Sequence, residues 1–246
     1  MFALPAAEQA AAAPSSARAA GSSGTRIWKT PSGQRGNREI TMIDKERLTR
    51  QMDFCREVDK EKEVFRQSYL CDGSRRENDA EHAWHMGIMA MILQEYANED
   101  VDLLKVIEML LIHDIVEIDA GDTYAYDKEG LKSQAEREAK AADRIFGMLP
   151  EDQRAWMFEL FHEFEEGDTP EAKFARSLDN VQPVMQNDAS EGKDWQEKGI
   201  RLSQAIERQR RTAQGSQILW DEVSKPMIQK NIDLGNIIGD VSLEEI

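Results

Sequence analysis

From Met42 onward, apolar residues recur at three- and four-residue spacing, Leu, Met, Ala, Glu, Lys, Gln and Arg dominate, and β-branched residues rarely cluster. That pattern predicts helices almost everywhere. The expected spans are about 43–68, 79–97, 102–118, 130–148, 151–166, 170–187, 193–213 and 216–235. Loop chemistry in "CDGSRREN" and "DAGDTYAYD", and breaks at Pro150, Gly167 to Pro170, Gly192 and Gly215, separate them. No stretch reads as a convincing strand. Two spans lack a polar face, "AWHMGIMAMIL" and "LLKVIEMLLIHDIVE", so both are expected in the interior. The predicted fold class is all-α: one domain, 42–246, of seven or eight helices with two central ones.

Composition separates the first 41 residues from the rest. They are rich in Ala, Ser and Gly, without apolar periodicity, and are read as a disordered tail. They carry five basic and two acidic residues, among them Arg18, Arg26, Arg35 and Arg38, which leaves an organelle-transit segment as a minor alternative. The whole chain has a net charge of -16, which argues against a broad positive surface for a nucleic-acid polymer or an anionic membrane. No apolar run approaches the ~18 residues of a membrane span. Cys55 and Cys71 form no CxxC pair and are read as reduced thiols of a cytoplasmic protein.

The two apolar helices carry His82, His85, His113, Asp114 and Glu117, and burying an ionisable group without a partner costs several kcal/mol. Adjacent helix positions point about 100° apart. His113 and Asp114 therefore face a common point only if a central object lies beside the helix, and a divalent cation is such an object. Imidazole together with carboxylate suits one transition ion, Mn, Co, Fe, Ni or Zn, better than calcium or magnesium.

The order His82, then His113-Asp114, then an Asp in a later helix resembles the H…HD…D pattern of the HD superfamily of metal-dependent phosphohydrolases. Asp179 in "KFARSLDNVQ" best matches the last member, and it borders an apolar stripe of Phe174, Ala175, Leu178 and Val181. More narrowly, "ENDAEHAW" and "IHDIVEIDAGD" are similar to stretches of the bacterial 5′-deoxynucleotidases, over about residues 48–215. The resemblance implies His82, His113, Asp114 and Asp179 as metal ligands, with Glu117 and Asp122 as catalytic residues. It also implies in-line attack of metal-bound water on a small phosphomonoester, most plausibly a nucleoside 5′-monophosphate.

A phosphate dianion entering so acidic a protein needs cations near the metal, and Arg66, Arg75 and Arg76 are the nearest in sequence to the first ligand helix. Arg66 resembles the family's phosphate- or sugar-contacting Arg, but Gln67 stands where the deoxynucleotidases have Trp, a departure that leaves the sugar preference open. Tyr69, Tyr124 and Tyr126 are candidates to stack on a base. His85 and His162 are read as structural, and Arg208, Arg210 and Arg211 as a solvated helix end. Two alternatives stay open: an alarmone (guanosine tetraphosphate-type) pyrophosphohydrolase, and a non-catalytic nucleotide- or metal-sensing module. A cyclic-dinucleotide phosphodiesterase is disfavoured, because no "GYP" follows the HD region. The amphipathic last helices suggest a homodimer.

Overall fold

The structure, a computed structural model, describes residues 44–242, so the expectations for the 1–41 tail lie outside the described residues. Helix α1 (Lys45–Val58) starts where the Asp44 side chain accepts a hydrogen bond from the Arg47 amide, the usual satisfaction of a free helix-start donor. It stops ten residues before the expected end. A single tight turn (Asp59–Glu63) leads into strand β1 (Phe65–Tyr69), which pairs antiparallel with β2 (Arg76–Asn78), Phe65 opposite Asn78 and Tyr69 opposite Arg76. The all-helix expectation fails here for a local reason. Val64, Phe65 and Tyr69 favour extended backbone, and Gly73 takes a left-handed φ of 67° that closes the intervening turn.

Helix α2 (Asp79–Leu93) follows β2 directly, fixed by a reciprocal cap in which Asn78 and Glu81 satisfy each other's amides. Then come α3 (Leu103–Ile112), the short α4 (Glu117–Ala120), α5 (Lys128–Phe146), α6 (Glu151–Glu166) and α7 (Pro170–Ala189). The predicted 102–118 helix is thus divided. At residues 113–118 the backbone switches to i→i+3 bonds, such as Glu117 N–H to Asp114 O at 2.8 Å.

The last two predicted helices also break up, into α8 (Lys193–Lys198), α9 (Leu202–Gln209), α10 (Thr212–Gly215), α11 (Gln217–Leu219) and α12 (Lys225–Asp233), with a wide turn at Trp220–Ser224. Gly192 and Gly199, both left-handed, flank α8. Part of the apolar surface of this region turns inward, while Ile218, Leu234 and Ile238 stay exposed. Trp195, Ile200, Leu202, Trp220 and Ile228 pack with Val184 into a second core cluster.

The main core joins α2, α3, α5, α6 and α7 through Met86, Met109, Leu110, Phe146, Phe174 and Leu178. Helix α7 touches both clusters and has twelve of its twenty residues buried, so it is the central rod of the domain. Helix α2 is less enclosed than its apolar sequence implied: Trp84 and Ile92 are 65% and 67% exposed. Its inner face packs on α3 and α7, and no element covers the opposite face among the described residues.

Candidate metal centre and active site

Helices α2 and α7 and the turn after α3 deliver four side chains to one point. His82 Nε2 lies 3.2 Å from Asp179 Oδ1 and 3.9 Å from Asp114 Oδ2; His113 Nε2 lies 3.1 Å from Asp114 Oδ2 and 3.9 Å from Asp179 Oδ1. Ligands about 2.1 Å from one transition ion stand roughly 3.0–3.4 Å apart, so the separations suit a shared cation. Both imidazoles are oriented from behind. His82 Nδ1 meets Gln182 Oε1 at 3.1 Å and His113 Nδ1 meets the Leu110 carbonyl at 3.1 Å, so in each ring Nδ1–H donates and the Nε2 lone pair faces the site. His113 Nε2 is buried without a hydrogen-bond partner, as are Asp79 Oδ2, Glu117 Oε2 and Asp122 Oδ2. Orphaned buried acceptors are costly. Their convergence on a two-nitrogen, two-oxygen donor set is what a bound divalent ion would satisfy.

The electrostatics point the same way. Burial opposes ionisation of Asp114, but His113, Arg66 and His82 outweigh it and hold the carboxyl well below the usual range. Asp179 is likewise held low against burial, chiefly by Arg208 and then by the two histidines. Burial resists the His113 imidazolium, yet Asp114 and Asp179 push its pKa up to about 9. A field strong enough to hold a proton there also attracts a metal cation. Glu117 is raised well above 4.5 by burial, then by Asp114 and Asp79; Asp79 is pushed up to about 8 by burial and Asp114. Five carboxyl groups and two arginines, Arg66 and Arg208, thus share the site, and a divalent ion would oppose the burial and mutual repulsion that raise Asp79 and Glu117.

The site residues expected from sequence are not all together. Glu117 and Asp122 line the same cleft as His113, Asp114 and Asp179, a cavity of about 400 Å³, and so do Arg66, Tyr124 and Tyr126. Arg66 projects from β1, its Nη1 2.6 Å from Asp114 Oδ2 and 3.4 Å from Asp79 Oδ1. Arg75 lies elsewhere, paired with Glu81 at 2.7 Å on the surface, and Arg76 turns to the Gln67 carbonyl and toward Glu197. Tyr69 stacks under Lys193 and Arg76 and does not line the cleft. His162 packs on Phe158 away from the metal point. Asp188, another acid on α7, is engaged by Lys230 and Asn231.

Four contributors were not singled out from the sequence pattern. Asp79, at the first position of α2, belongs to a second close carboxylate group with Asp114 and Glu117. Glu77 and Gln182 form a buried pair behind His82, with Gln182 Nε2 donating to Glu77 at 2.9 Å. Gln182 also lies 3.3 Å from His85 Nδ1, which places His85 one layer behind the ligand. Arg208, read as a solvated residue, donates to Asp179 Oδ2 at 2.9 Å. For Gln182 a signal existed: a polar residue three positions after Asp179 shares its helix face.

Comparison with known proteins agrees with this geometry. The HD domain family model matches residues 58–220. The 5′-deoxynucleotidase HDDC2 of Homo sapiens is 32% identical over 153 residues, 61% of this chain and 72% of the relative; that of Mus musculus is 34% identical over 127 residues, 51% and 61%. The crystal structure of a predicted metal-dependent phosphohydrolase from Magnetospirillum magnetotacticum superposes with a TM-score of 0.75 at 44% identity, covering 78% of this chain and 96% of that one. An HD-domain phosphohydrolase from Listeria innocua, 17% identical with a TM-score of 0.54 over 74% and 92% of the chains, shares the fold. With its H…HD…D side chains gathered at one point inside an all-α domain, this chain belongs to the HD domain family.

Proposed function

We propose that the chain is a metal-dependent phosphoric monoester hydrolase acting on nucleoside 5′-monophosphates, with residues 42–246 as the catalytic unit. The observation that carries this reading is the convergence of His82, His113, Asp114 and Asp179 in the cleft that also holds Glu117, Asp122 and Arg66. The names of the curated relatives and of the Magnetospirillum structure support it. A divalent ion held by the four ligands supplies Lewis acidity, lowering the pKa of water and polarising a phosphate oxygen. The donor set favours Mn, Co, Fe, Ni or Zn.

The chain's own groups supply the rest. Arg66 offers its guanidinium to the phosphate at the rim of the carboxylate cluster. Glu117, whose pKa is raised by burial and by Asp114 and Asp79, orients the attacking water or passes a proton. Asp122, in the loop after Gly121, orients water or a ribose hydroxyl. Tyr124 and Tyr126, edge to face with centroids 5.2 Å apart, form a wall for the nucleoside. Gln67 lines the cleft, with its Oε1 accepting from Arg76.

Two copies associate, in this reading, through the exposed apolar face of α2 and α3, where Trp84, Ile88, Met91, Ile92 and Leu104 stand open. No described helix is long and apolar enough to cross a membrane, and both cysteines are free and exposed, which a reducing cytoplasm allows. The test is elemental analysis of purified protein together with product analysis over a nucleotide panel. Orthophosphate from nucleoside 5′-monophosphates, with metal and turnover both lost in His113→Ala and Asp179→Ala, is expected. Pyrophosphate from guanosine tetraphosphate, or nucleotide binding without turnover, would replace this reading with the alarmone or sensing one.

A further inference from the structure

A second cleft, of about 500 Å³, opens beside the metal centre and shares Tyr126, Leu131, Arg176, Asn180 and Arg208 with it. Its charge is opposite to that of the protein. Arg176, Arg208, Arg210 and Arg211 line it, against Glu207 as the lining acid. In a chain of net charge -16, four guanidinium groups around one hollow are a local reversal of sign. Three of them have a carboxylate partner, Arg208 at Asp179 (2.9 Å), Arg176 at Glu165 (3.8 Å) and Arg210 at Glu207 (3.4 Å), and among the described residues Arg211 is the one without. Arg176 also donates to the Phe164 and Glu165 carbonyls at the end of α6.

The fold brings the arginines together. Gly167, left-handed at φ 69°, has no side chain where Arg176 Nε and Arg211 Nη1 both approach; a Cβ there would stand 3.6 and 3.7 Å from them. Burial lowers the Arg176 pKa from its ordinary value, Glu165 and Asp179 oppose that shift, and the neighbouring Arg211 and Arg208 add to it. Guanidinium forks are matched geometrically to phosphate. Arg208 joins the two clefts, because the side chain that lines the second one also holds the proposed ligand Asp179 at 2.9 Å.

We propose that this arginine cleft is a second phosphate site, taking a phosphate group carried by the same substrate whose scissile phosphate sits at the metal centre. The preferred substrate class is then a nucleotide with a second phosphate beyond its 5′ position, for example on the 3′-hydroxyl. This rests on the hydrolase reading above and narrows its substrate.

The test compares adenosine 3′,5′-bisphosphate with adenosine 5′-monophosphate on the metal-loaded protein and on the variant Arg210→Ala/Arg211→Ala. Neither altered residue touches Asp179 or lines the metal cleft. The wild-type protein should show kcat/KM for the bisphosphate at least about tenfold above the monophosphate. The double variant should lose about 10- to 100-fold on the bisphosphate alone, as expected for one or two charge-assisted bonds. Monophosphate turnover and melting temperature should stay within twofold and within about 2 °C, respectively. Equal kcat/KM for the two nucleotides in the wild type overturns the proposal, as does an equal loss on both in the variant. Inorganic phosphate that changes monophosphate turnover through Arg210 and Arg211, without a bisphosphate preference, would make the cleft an effector site and likewise overturn it. Calorimetric binding of the bisphosphate separates the two readings. If neither nucleotide is hydrolysed the hydrolase reading fails, while an affinity advantage that depends on Arg210 and Arg211 still supports the second phosphate site.

Discussion

Replacing Gln182 with Leu keeps the volume of a side chain that is fully buried on α7 but removes its two polar ends. Its Oε1 is the acceptor, 3.1 Å away, that holds the His82 Nδ1 proton; its Nε2 donates to both oxygens of Glu77, at 2.9 and 3.1 Å. Two effects follow, and they are separable. The Glu77 carboxylate, 2% exposed, is left short of donors, which costs the fold about 1–3 kcal/mol with or without metal. His82 is left with only the more distant Glu77 Oε2, at 3.5 Å, to fix its tautomer, so its Nε2 presents a lone pair to the site for a smaller fraction of the time. Loss of such a supporting partner typically weakens metal affinity by about 10- to 100-fold, or about 1.4–2.8 kcal/mol. Metal competition against a chelator of known affinity, with melting curves of the metal-stripped protein alongside, reads both. A metal dissociation constant within twofold of wild type, beside a lowered melting temperature, would show that Gln182 serves packing alone and would refute the positioning argument.

Glu117→Gln should keep its metal while turnover falls by about 10² to 10⁴; loss of metal in this variant, seen by elemental analysis, would make Glu117 a ligand instead. Gly215→Ala should destabilise the protein by about 1–3 kcal/mol, the usual cost of overpacking, because a Cβ at Gly215 collides with the Lys173 carbonyl and Ser177 Oγ on α7; thermal denaturation gives the value. Glu57 is held below its ordinary value of 4.5 by Lys60 first and then Arg144, and a depressed acid contributes stability above its unfolded pKa that is lost as pH falls through the folded one. The melting-temperature gap between wild type and Arg144→Ala should therefore be widest near pH 6–7 and close below about pH 4; a gap that is constant with pH would remove Glu57 from the explanation. It should correspond to no more than about 1 kcal/mol, since the pair is partly solvated.

Much of the site was legible because ionisable residues in strongly apolar helices demand a reason. His82, His85, His113, Asp114 and Glu117 stood out by that cost, and the resemblance added Asp179 and Asp122 and the roles. The helical periodicity located α2, α5, α6 and α7 to within a few residues, and the start of α3, whose end it overran by six. The β hairpin was missed although Asp72 and Gly73 had been identified as turn residues. The charged run Asp59–Glu63 favours helix by propensity, and only pairing with β2 rewards the extended form of Phe65–Tyr69.

What the sequence determined by itself was the local periods and the identity of the residues too expensive to bury without a partner. Which of the arginines serve the site was decided only by the tertiary structure. Arg75 is six residues from the Glu81 that holds it on the surface, whereas Arg208, 95 residues beyond His113, reaches Asp179 because α9 packs across α7. The same holds for Gln182 behind His82, one hundred residues apart in the chain. Periodicity reports which face of an element is apolar, but it carries no record of which distant element will cover that face. The compensation of a buried charge therefore becomes readable only once the helices are packed.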